Sequence, residues 1–357
     1  MSVQYTWVQW NKHKRVYDAV LLLFVFLFIA AYVGVSVATT PEGQAASPPI
    51  LVIRATGMCA IVMLHLILAI GPLARLFPNQ FAPLLYNRRH FGVTMFFVAL
   101  IHAGLQTMWY GAFGNVDPLT AIMTMNTRID SWVGFPFEWF GIFAMVILFL
   151  MAATSHDFWL KNLSPRWWKT LHMGVYFAYA SLVLHVALGA IQADRSMAYP
   201  LLIGGGAVTL IGLHLIAGLR EVKADNGAVT KPANGWLDVA SVSEIPQDRA
   251  KVVKVKGCDR VAVFRHGDQG EKLSAVASVC AHQGGPLGEG KVVDGCITCP
   301  WHGYQYRPED GQSPPPYTEK IATYEVRVDG ERVMLNPEAL DPGTPVEPAV
   351  IGDASNE

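Results

Sequence analysis

Charged residues are scarce in this chain, and the scarcity is uneven. Asp, Glu, Lys and Arg make up 15% of the 357 residues, whereas a soluble domain carries about 25%. Residues 17–220 have almost no charge outside short loops, while residues 221–357 have the composition of ordinary soluble protein. This change marks the main domain boundary. The net charge of −1 shows no basic excess, so the sequence gives no indication of a nucleic-acid partner.

Other common signatures are also missing. Three of the five cysteines fall within residues 280–299, so the even, dispersed spacing of a secreted disulfide framework is absent. We find no internal repeat and no phosphate-binding P-loop. The GGGA stretch at 204–207 lies inside an apolar segment, and no flavin or nicotinamide domain is apparent after it.

Six apolar segments are long enough to cross a bilayer as helices, for which about 20 residues are needed. The first follows Lys14 and Arg15 and is longer than the usual apolar core of a signal peptide, so we predict a retained anchor. The sequence therefore predicts a cytoplasmic N-terminus at 1–16 and an all-α six-helix membrane domain at 17–220. The predicted spans are 17–38, 51–73, 91–111, 135–154, 171–191 and 199–219.

Basic residues in the loops predict the orientation, because they accumulate on the cytoplasmic side. Twelve Lys and Arg residues lie on one side and three on the other. The sequence thus predicts a multi-pass protein of the cell inner (plasma) membrane, with both termini in the cytoplasm and an outward-facing loop at 112–134. The first group is Lys12, Lys14, Arg15, Arg75, Arg88, Arg89, Lys161, Arg166, Lys169, Arg220, Lys223 and Lys231; the second is Arg54, Arg128 and Arg195.

Four histidines recur at matched spacing in the third and fifth predicted helices, which run parallel. His90 and His102 are twelve residues apart, and His172 and His185 are thirteen apart. The two levels are therefore about 18–20 Å apart along the helices. One imidazole from each helix on opposite faces of a porphyrin would hold two b-type haems. We call His90 and His172 the inner pair, near the cytoplasmic face, and His102 and His185 the outer pair.

Two qualifications accompany this interpretation. Twelve residues leave His90 and His102 about 120° apart around a straight helix, so the two levels face different directions unless a helix bends. The competing interpretation is that membrane histidines bond backbone groups or line a polar cavity.

His65 and His214 stand alone on even-numbered helices, where a quinone pocket, a haem propionate contact and metal ligation all remain open.

These segments resemble the ferric reductase-like transmembrane domain. That superfamily includes NADPH oxidases, ferric reductases and the haem subunit of the bacterial periplasmic methionine sulfoxide reductase. The RRHFG opening of helix three, His102 and the LH…LH arrangement of helix five carry the resemblance, which covers about residues 50–220. It implies that His90, His102, His172 and His185 are haem ligands.

The second half of the chain has the pattern of a small β domain. Residues 221–235 are polar and contain Gly and Pro, which predicts a linker. Residues 236–337 contain short alternating runs, among them AKVVKVKG, DRVAVFRH and KLSAVAS, separated by turn residues; they predict an all-β domain. The tail at 338–357 is rich in Pro and acidic residues and is predicted to be disordered.

Two Cys/His pairs lie within this β domain. Cys280 and His282 form the first pair, Cys299 and His302 the second, with sixteen residues between the pairs. A four-cysteine cluster would need a further thiolate, and a zinc site would show Cys-x2-Cys or His-x3–5-His spacing within the four residues. In a Rieske [2Fe–2S] centre two Cys bind one iron and two His bind the other. One Cys and one His per loop therefore predict a Rieske centre.

The stretch CAHQGGPLGEG…CPWHGYQYRPEDG and the following proline loop resemble Rieske ferredoxin domains over about residues 236–337. They differ from the quinol-oxidising Rieske protein, which has a disulfide between its two loops and a serine after the second His-Gly. Here those positions are Gly285, Trp301 and Tyr304. Fewer hydrogen bonds to cluster sulfur predict a potential near the low end of the Rieske range, roughly −150 mV.

Together the two halves predict a transmembrane electron-transfer oxidoreductase with no assignable catalytic residue. Electrons would come from a separate cytosolic reductase or the quinone pool and reach an external acceptor: ferric ion, oxygen, quinone or a periplasmic redox partner. The alternatives are a quinol-linked haem/Rieske subunit of a larger redox complex and a Rieske electron donor for an oxygenase. An oxygenase itself needs two His and a carboxylate on a mononuclear iron, and the soluble half offers only His266 besides His282 and His302. A redox sensor would need an output segment, which we do not find.

Overall fold

The structure is a computed structural model whose described residues divide into two units. The first unit comprises those of Met1–Ile70 and Asn87–Leu213, and the second those of Gly71–Tyr86 and His214–Glu357. The described residues are 12–40, 46–85, 87–111, 114–155, 159, 163, 165–193, 196–226, 235–256, 258–282, 284–300, 303–315 and 317–352.

The apolar half of the chain is mostly helical in its described part, with a loop at 125–137. Five helical stretches are long and apolar enough to cross a membrane, and α6 is a shorter apolar helix of 16 residues. The helices are α1 (Lys12–Thr39), α2 (Pro48–Leu76), α3 (Pro78–Leu85), α4 (Arg88–Gly111), α5 (Pro118–Thr124), α6 (Glu138–Ala153), α7 (Pro165–Met173), α8 (Val175–Leu188), α9 (Ala190–Ala193) and α10 (Ala198–Asn226).

Five of the six predicted spans are therefore confirmed as long apolar helices, and the predicted span at 135–154 is shorter than expected. Pro136 explains the late start of α6, because a proline disfavours helical conformation in the residue before it. A helix of 16 residues is about 24 Å long, less than the hydrocarbon thickness of about 30 Å.

The fifth span is interrupted between its two histidines. Gly174 separates α7 from α8, and its N–H donates to the carbonyl of Leu171 at 3.0 Å, one residue closer than in a regular α-helix. A Cβ at Gly174 would lie 2.8 Å from that carbonyl oxygen, so the tight turn needs glycine. The third span, α4, is continuous, so the interruption between the two histidine levels is found in the fifth span.

The soluble half folds into three small antiparallel sheets. They have the strand orders β1-β10-β9, β11-β4-β3-β2 with β8 also on β4, and β5-β6-β7. The predicted runs at 250–254, 260–266 and 272–277 are confirmed as β2, β3 and β4. The strands are β1 (Leu237–Ser241), β2 (Ala250–Lys254), β3 (Arg260–His266), β4 (Lys272–Ala277), β5 (Lys291–Val293), β6 (Cys296–Thr298), β7 (Gln305–Tyr306), β8 (Thr323–Tyr324), β9 (Val326–Asp329), β10 (Arg332–Leu335) and β11 (Ala349–Val350).

The expectation of a disordered tail is wrong for residues 338–352. Ala349 pairs with Leu273 of β4, is 6% exposed, and joins the core between the sheets. The N–H of Val346 donates to the carbonyl of Glu309 at 2.7 Å, and Ile351 donates to Glu271. A few apolar residues among the prolines are thus enough to complete a sheet edge. Residues 353–357 lie outside the described part.

An ion pair in the second unit connects the end of α2 to the segment that leads into β5. Arg75 Nε lies 3.6 Å from a carboxylate oxygen of Glu289. Burial raises the pKa of Glu289 above its ordinary value, and the nearby Glu221 carboxylate raises it further, although Arg75 and Arg260 lower it. The net upward shift means that Arg75 offsets only part of the cost of burying this charge.

Replacing Glu289 with Gln should therefore change how stability depends on pH. A raised pKa in the folded state means that the stability contributed by Glu289 is present at low pH and is lost as pH rises through that pKa. Relative to wild type, the Glu289→Gln variant should gain thermal stability between pH 4.5 and pH 7, and Arg75→Gln should lose up to about 1 kcal/mol at pH 7. Thermal unfolding in detergent across this pH range tests both. Parallel pH profiles of wild type and Glu289→Gln would contradict the expectation.

Candidate metal centres

The two ligand loops of the β domain have the same backbone hydrogen bonds. The N–H of Cys280 donates to Gly285 O at 2.8 Å, and the N–H of Cys299 donates to Tyr304 O at 2.7 Å, both five residues ahead. Cys280 O in turn accepts from the N–H of Gly284, four residues ahead. Cys299 O accepts likewise from Gly303. Each loop therefore wraps back onto its own cysteine.

Glycine is required at the closing position of each loop. Gly284 has φ 71° and Gly303 has φ 70°, both in the left-handed region, which costs other residues about 1–2 kcal/mol. Glycine at these two positions therefore lets both loops turn tightly. Cys280 and Cys299 are 2% and 1% exposed and belong to one apolar cluster, so the thiols are held away from water.

A tyrosine hydroxyl lies against the first ligand loop. Tyr306 is fully buried, and its hydroxyl oxygen is 3.3 Å from Cys280 Sγ and accepts the N–H of His282 at 3.3 Å. Burial, followed by the effect of the Cys280 thiol, raises the pKa of Tyr306 above its ordinary value, so the hydroxyl keeps its proton. Because the oxygen accepts from His282, its hydrogen is available to Sγ. The sequence did not predict this donor to sulfur.

A second tyrosine covers the imidazole of the first loop. The ring of Tyr304 stacks on His282 with centroids 4.5 Å apart and planes at 10°, and its hydroxyl donates to the Glu319 carboxylate. The stack fixes the direction of the His282 ring. His302, the fourth predicted ligand, and its neighbour Trp301 lie outside the described residues. Among the residues that are described, no group of three or more His, Cys, Asp and Glu that could hold a metal ion is assembled.

In the helical unit, the two histidines of the outer pair are brought together. The rings of His102 and His185 have centroids 6.4 Å apart and planes at 83°. Two imidazoles that bind one metal ion through nitrogen bonds of about 2.0–2.1 Å bring their centroids to roughly 6 Å. The separation therefore fits one metal between the two rings.

Both histidines of the outer pair are anchored in the same way. His102 Nδ1 lies 2.8 Å from the carbonyl oxygen of Ile53, and His185 Nδ1 lies 3.1 Å from that of Phe137. With the hydrogen on Nδ1, each ring donates to a carbonyl and leaves Nε2 as the possible metal ligand.

Glycine makes both anchors possible. Gly57 stands four residues after Ile53, and Gly141 stands four residues after Phe137, one helical turn further. A Cβ on Gly57 would lie 2.9 Å from the His102 ring, and a Cβ on Gly141 would lie 2.9 Å from the His185 ring. We call these two positions the glycine notches. Each notch lets an imidazole reach a helical carbonyl on another helix.

The inner pair has a different environment. His172 Nδ1 lies 3.0 Å from the carbonyl of Trp168 in its own helix, and the two rings stack with centroids 3.8 Å apart. His172 Nε2 is buried and has no hydrogen-bond partner among the described residues, which suits a metal ligand. His90 Nδ1 lies 3.0 Å from a carboxylate oxygen of Asp18. No ring contact between His90 and His172 is found among the described residues.

His65 has both ring nitrogens occupied. Its Nδ1 lies 2.7 Å from Ile61 O, and its Nε2 lies 3.0 Å from the Tyr179 hydroxyl. A Cβ at Gly206 would lie 2.2 Å from Nε2, so α10 closes over the ring. His65 is therefore a structural histidine in this arrangement. His214 belongs to the second unit.

A buried carboxylate was missed by the sequence reasoning. Glu138 is 5% exposed at the start of α6, and its Oε1 accepts from the Tyr110 hydroxyl and the Asn126 amide. Its Oε2 has no hydrogen-bond partner among the described residues. The signal was present, because an ionisable residue within an apolar segment is uncommon. Glu138 stands among the aromatic residues that flank the outer loop, so the sequence pattern did not single it out.

Comparisons with known proteins match each half separately. The model of the ferric reductase like transmembrane component matches residues 56–183, and that of the Rieske [2Fe-2S] domain matches residues 235–325. The heme-binding subunit MsrQ of protein-methionine-sulfoxide reductase from Bordetella pertussis is 30% identical over 180 residues, which is 50% of this chain and 81% of the relative. The chain belongs to the family of ferric reductase-like transmembrane components, and it carries a Rieske [2Fe–2S] domain.

Relatives of the second half include a protein named as a ferredoxin subunit. The ferredoxin subunit of anthranilate 1,2-dioxygenase from Burkholderia cepacia is 32% identical over 102 residues, 28% of this chain and 91% of the relative. A solved chain from the complex of reduced oxygenase and oxidised ferredoxin in carbazole 1,9a-dioxygenase is 29% identical, with a TM-score of 0.27. The match covers 30% of the present protein and 96% of the solved chain. The protein is thus a multi-pass membrane protein of redox type.

Filling a glycine notch should displace one histidine of the outer pair. In Gly141→Ala the new methyl group would collide with His185, break its bond to Phe137 O and lower the haem content per chain. Gly104→Ala is the matched control, because a Cβ there meets nothing within 4 Å and alanine favours a helix by about 1 kcal/mol. Pyridine haemochrome analysis gives the content. Equal haem content in Gly141→Ala and Gly104→Ala would contradict a ligand role for His185.

Proposed function

We propose that this protein is a transmembrane electron-transfer oxidoreductase. It passes electrons from a cytoplasmic donor through the Rieske cluster and b-type haems to an acceptor on the other side of the inner membrane. The observation that carries the proposal is the outer pair: two imidazoles at metal-binding separation, both with Nδ1 anchored, in a chain that also has a Rieske domain. When bound, these groups supply one-electron carriers.

The cluster ligands in this proposal are Cys280 and Cys299 on one iron and His282 and His302 on the other. The equivalent hydrogen bonding of the two cysteine loops supports the assignment of the thiols. The Tyr304 stack supports His282 by fixing its ring. The Tyr306 hydroxyl offers one hydrogen bond to sulfur, which raises a Rieske potential above that of a cluster without such donors.

The haem ligands in this proposal are the outer pair and the inner pair, giving two b-type haems. Support is strongest for His102 and His185, whose ring centroids lie 6.4 Å apart. Support for the inner pair comes from two atoms: the buried Nε2 of His172, and the Nδ1 of His90, held by a carboxylate. His65 is omitted, because Tyr179 takes its Nε2.

The direction of flow follows from the charge distribution. The basic loops support a cytoplasmic position for the Rieske domain and both termini, and in this proposal the acceptor lies outside. A membrane potential that is negative inside favours outward movement of an electron by about 2.3 kcal/mol per 100 mV for a full crossing. The donor is a cytosolic reductase, and the acceptor is ferric ion, oxygen, a quinone or a periplasmic redox partner.

A second candidate is a Rieske electron donor for an oxygenase. The relationship to a ferredoxin subunit named for anthranilate 1,2-dioxygenase favours it. In that case the soluble half would deliver electrons to a separate oxygenase. The membrane half would supply them from quinol, which is also the route expected for a quinol-linked subunit of a larger complex.

The cluster should be detectable without any knowledge of the donor. Purified protein should give the rhombic EPR signal of a reduced Rieske centre, and Cys280→Ser should abolish it because a serine cannot replace the thiolate. Cys258→Ser is the matched control, since this thiol is outside the two loops. Bound zinc without iron or inorganic sulfide would contradict the assignment.

The order of reduction tests the function itself. In oriented vesicles a reductant on the cytoplasmic side should reduce the cluster first and the outer haem last, as seen by rapid-mixing spectroscopy. The Cys299→Ser variant lacks the cluster and should lose haem reduction by that reductant. Full-speed reduction of both haems by quinol in Cys299→Ser would show that the cluster is not the point of electron input and would favour the quinol-linked alternatives.

A further inference from the structure

One of the four candidate haem histidines differs from the rest in what holds its Nδ1 atom. His102, His172 and His185 face backbone carbonyls at 2.8, 3.0 and 3.1 Å. His90 instead faces both carboxylate oxygens of Asp18 on α1, at 3.0 and 3.2 Å. The side chains of His90 and Asp18 are 19% and 21% exposed, so water screens this contact only in part.

The nature of that partner matters for a metal ligand. A carboxylate that accepts the Nδ1 hydrogen orients the ring and makes Nε2 a more basic ligand than a carbonyl does. Its negative charge also stabilises the more positive, oxidised state of a metal centre nearby. Both effects act in the same direction, toward a lower reduction potential.

We propose that Asp18 is a positioning residue that lowers the potential of the inner haem site below that of the outer one. The inference rests on the proposed function, since it takes His90 as a ligand. Its consequence is a downhill step: an electron on the inner site moves to the outer pair, whose Nδ1 partners are neutral carbonyls. The local charge thus supports outward transfer independently of the membrane potential.

One nearby charge works against Asp18. Arg88 stands two residues before His90 in α4 and carries a positive charge. A positive charge there favours the reduced state and raises the potential of the inner site. The two residues therefore give substitutions with opposite expected signs: Asp18→Asn should raise the inner potential, and Arg88→Gln should lower it.

A simpler role for Asp18 is a tether between α1 and α4. A tether predicts that substitution changes stability and leaves the reduction potentials alone. Asn keeps an oxygen that can accept the Nδ1 hydrogen and removes the charge, so it separates the two roles. Glu restores the charge on a longer side chain.

The experiment is a spectroelectrochemical titration of the full-length, haem-loaded protein. In Asp18→Asn the inner potential should rise so that the equilibrium constant for transfer from the inner to the outer site falls about tenfold, equivalent to about 59 mV for one electron. The outer potential should stay unchanged. Asp18→Glu should restore most of the wild-type value. Asp130→Asn, which removes an exposed carboxylate of the loop after α5, should change neither potential.

The outcomes that overturn the inference are distinct from those that overturn the function. Two haems in the wild type with unchanged potentials in Asp18→Asn would reduce Asp18 to a tether. Loss of the inner haem in Asp18→Asn with its retention in Asp18→Glu would support a role for the carboxylate charge. Loss of the inner haem in both variants would again indicate a tether. A wild type with one haem that survives His90→Ala would remove the inner site itself, and this proposal with it.

Discussion

The helical half depends on two hydrogen bonds that cross between helices at the glycine notches. A helix carbonyl is already engaged within its own helix, and a side chain on the next turn normally covers it. Gly57 and Gly141 uncover the carbonyls of Ile53 and Phe137, and each receives the Nδ1 of an imidazole from another helix. In a bilayer an imidazole without such a partner is costly. The same bond that satisfies Nδ1 leaves Nε2 as the possible metal ligand of each ring.

In the soluble half, backbone hydrogen bonds position the two cysteines of the ligand loops. In each cysteine loop the cysteine N–H donates to a carbonyl five residues ahead and the cysteine C=O accepts from the N–H of a glycine four residues ahead, which has a positive φ. The two thiols therefore emerge from nearly identical local structures although the histidines follow at different spacings. Tyr306 and Tyr304 then complete the first loop, one beside sulfur and one against the imidazole.

These details show which features a sequence can predict. The matched spacing of the histidines and the Cys/His pairs are local periodicities, so they could be read directly. The strands β2 to β4 were predicted for the same reason. The Nδ1 partners could not be predicted, because Ile53, Phe137 and Asp18 are 48 to 72 residues away in sequence from the histidines that they contact. The prediction for the tail was wrong because composition describes the average residue, whereas a few residues, among them Val346, Ala349 and Ile351, make the contacts that hold the tail on the domain.

The division of ligands between the halves follows from the cost of charge. Thiolates are negative, and a negative group within hydrocarbon costs at least about 2.5–3.5 kcal/mol. Neutral imidazoles with carbonyl partners add no charge, so they suit the membrane half, while the proposed thiolate ligands occur in the soluble half. Asp18 and Glu138 depart from this rule, and both stand near the ends of helices rather than at their centres. A carboxylate that is tolerated at such a depth is close enough to act on a buried imidazole yet still partly solvated or hydrogen-bonded. In the proposal made for Asp18, this charge lowers the reduction potential of the inner site without placing a charged ligand in the bilayer.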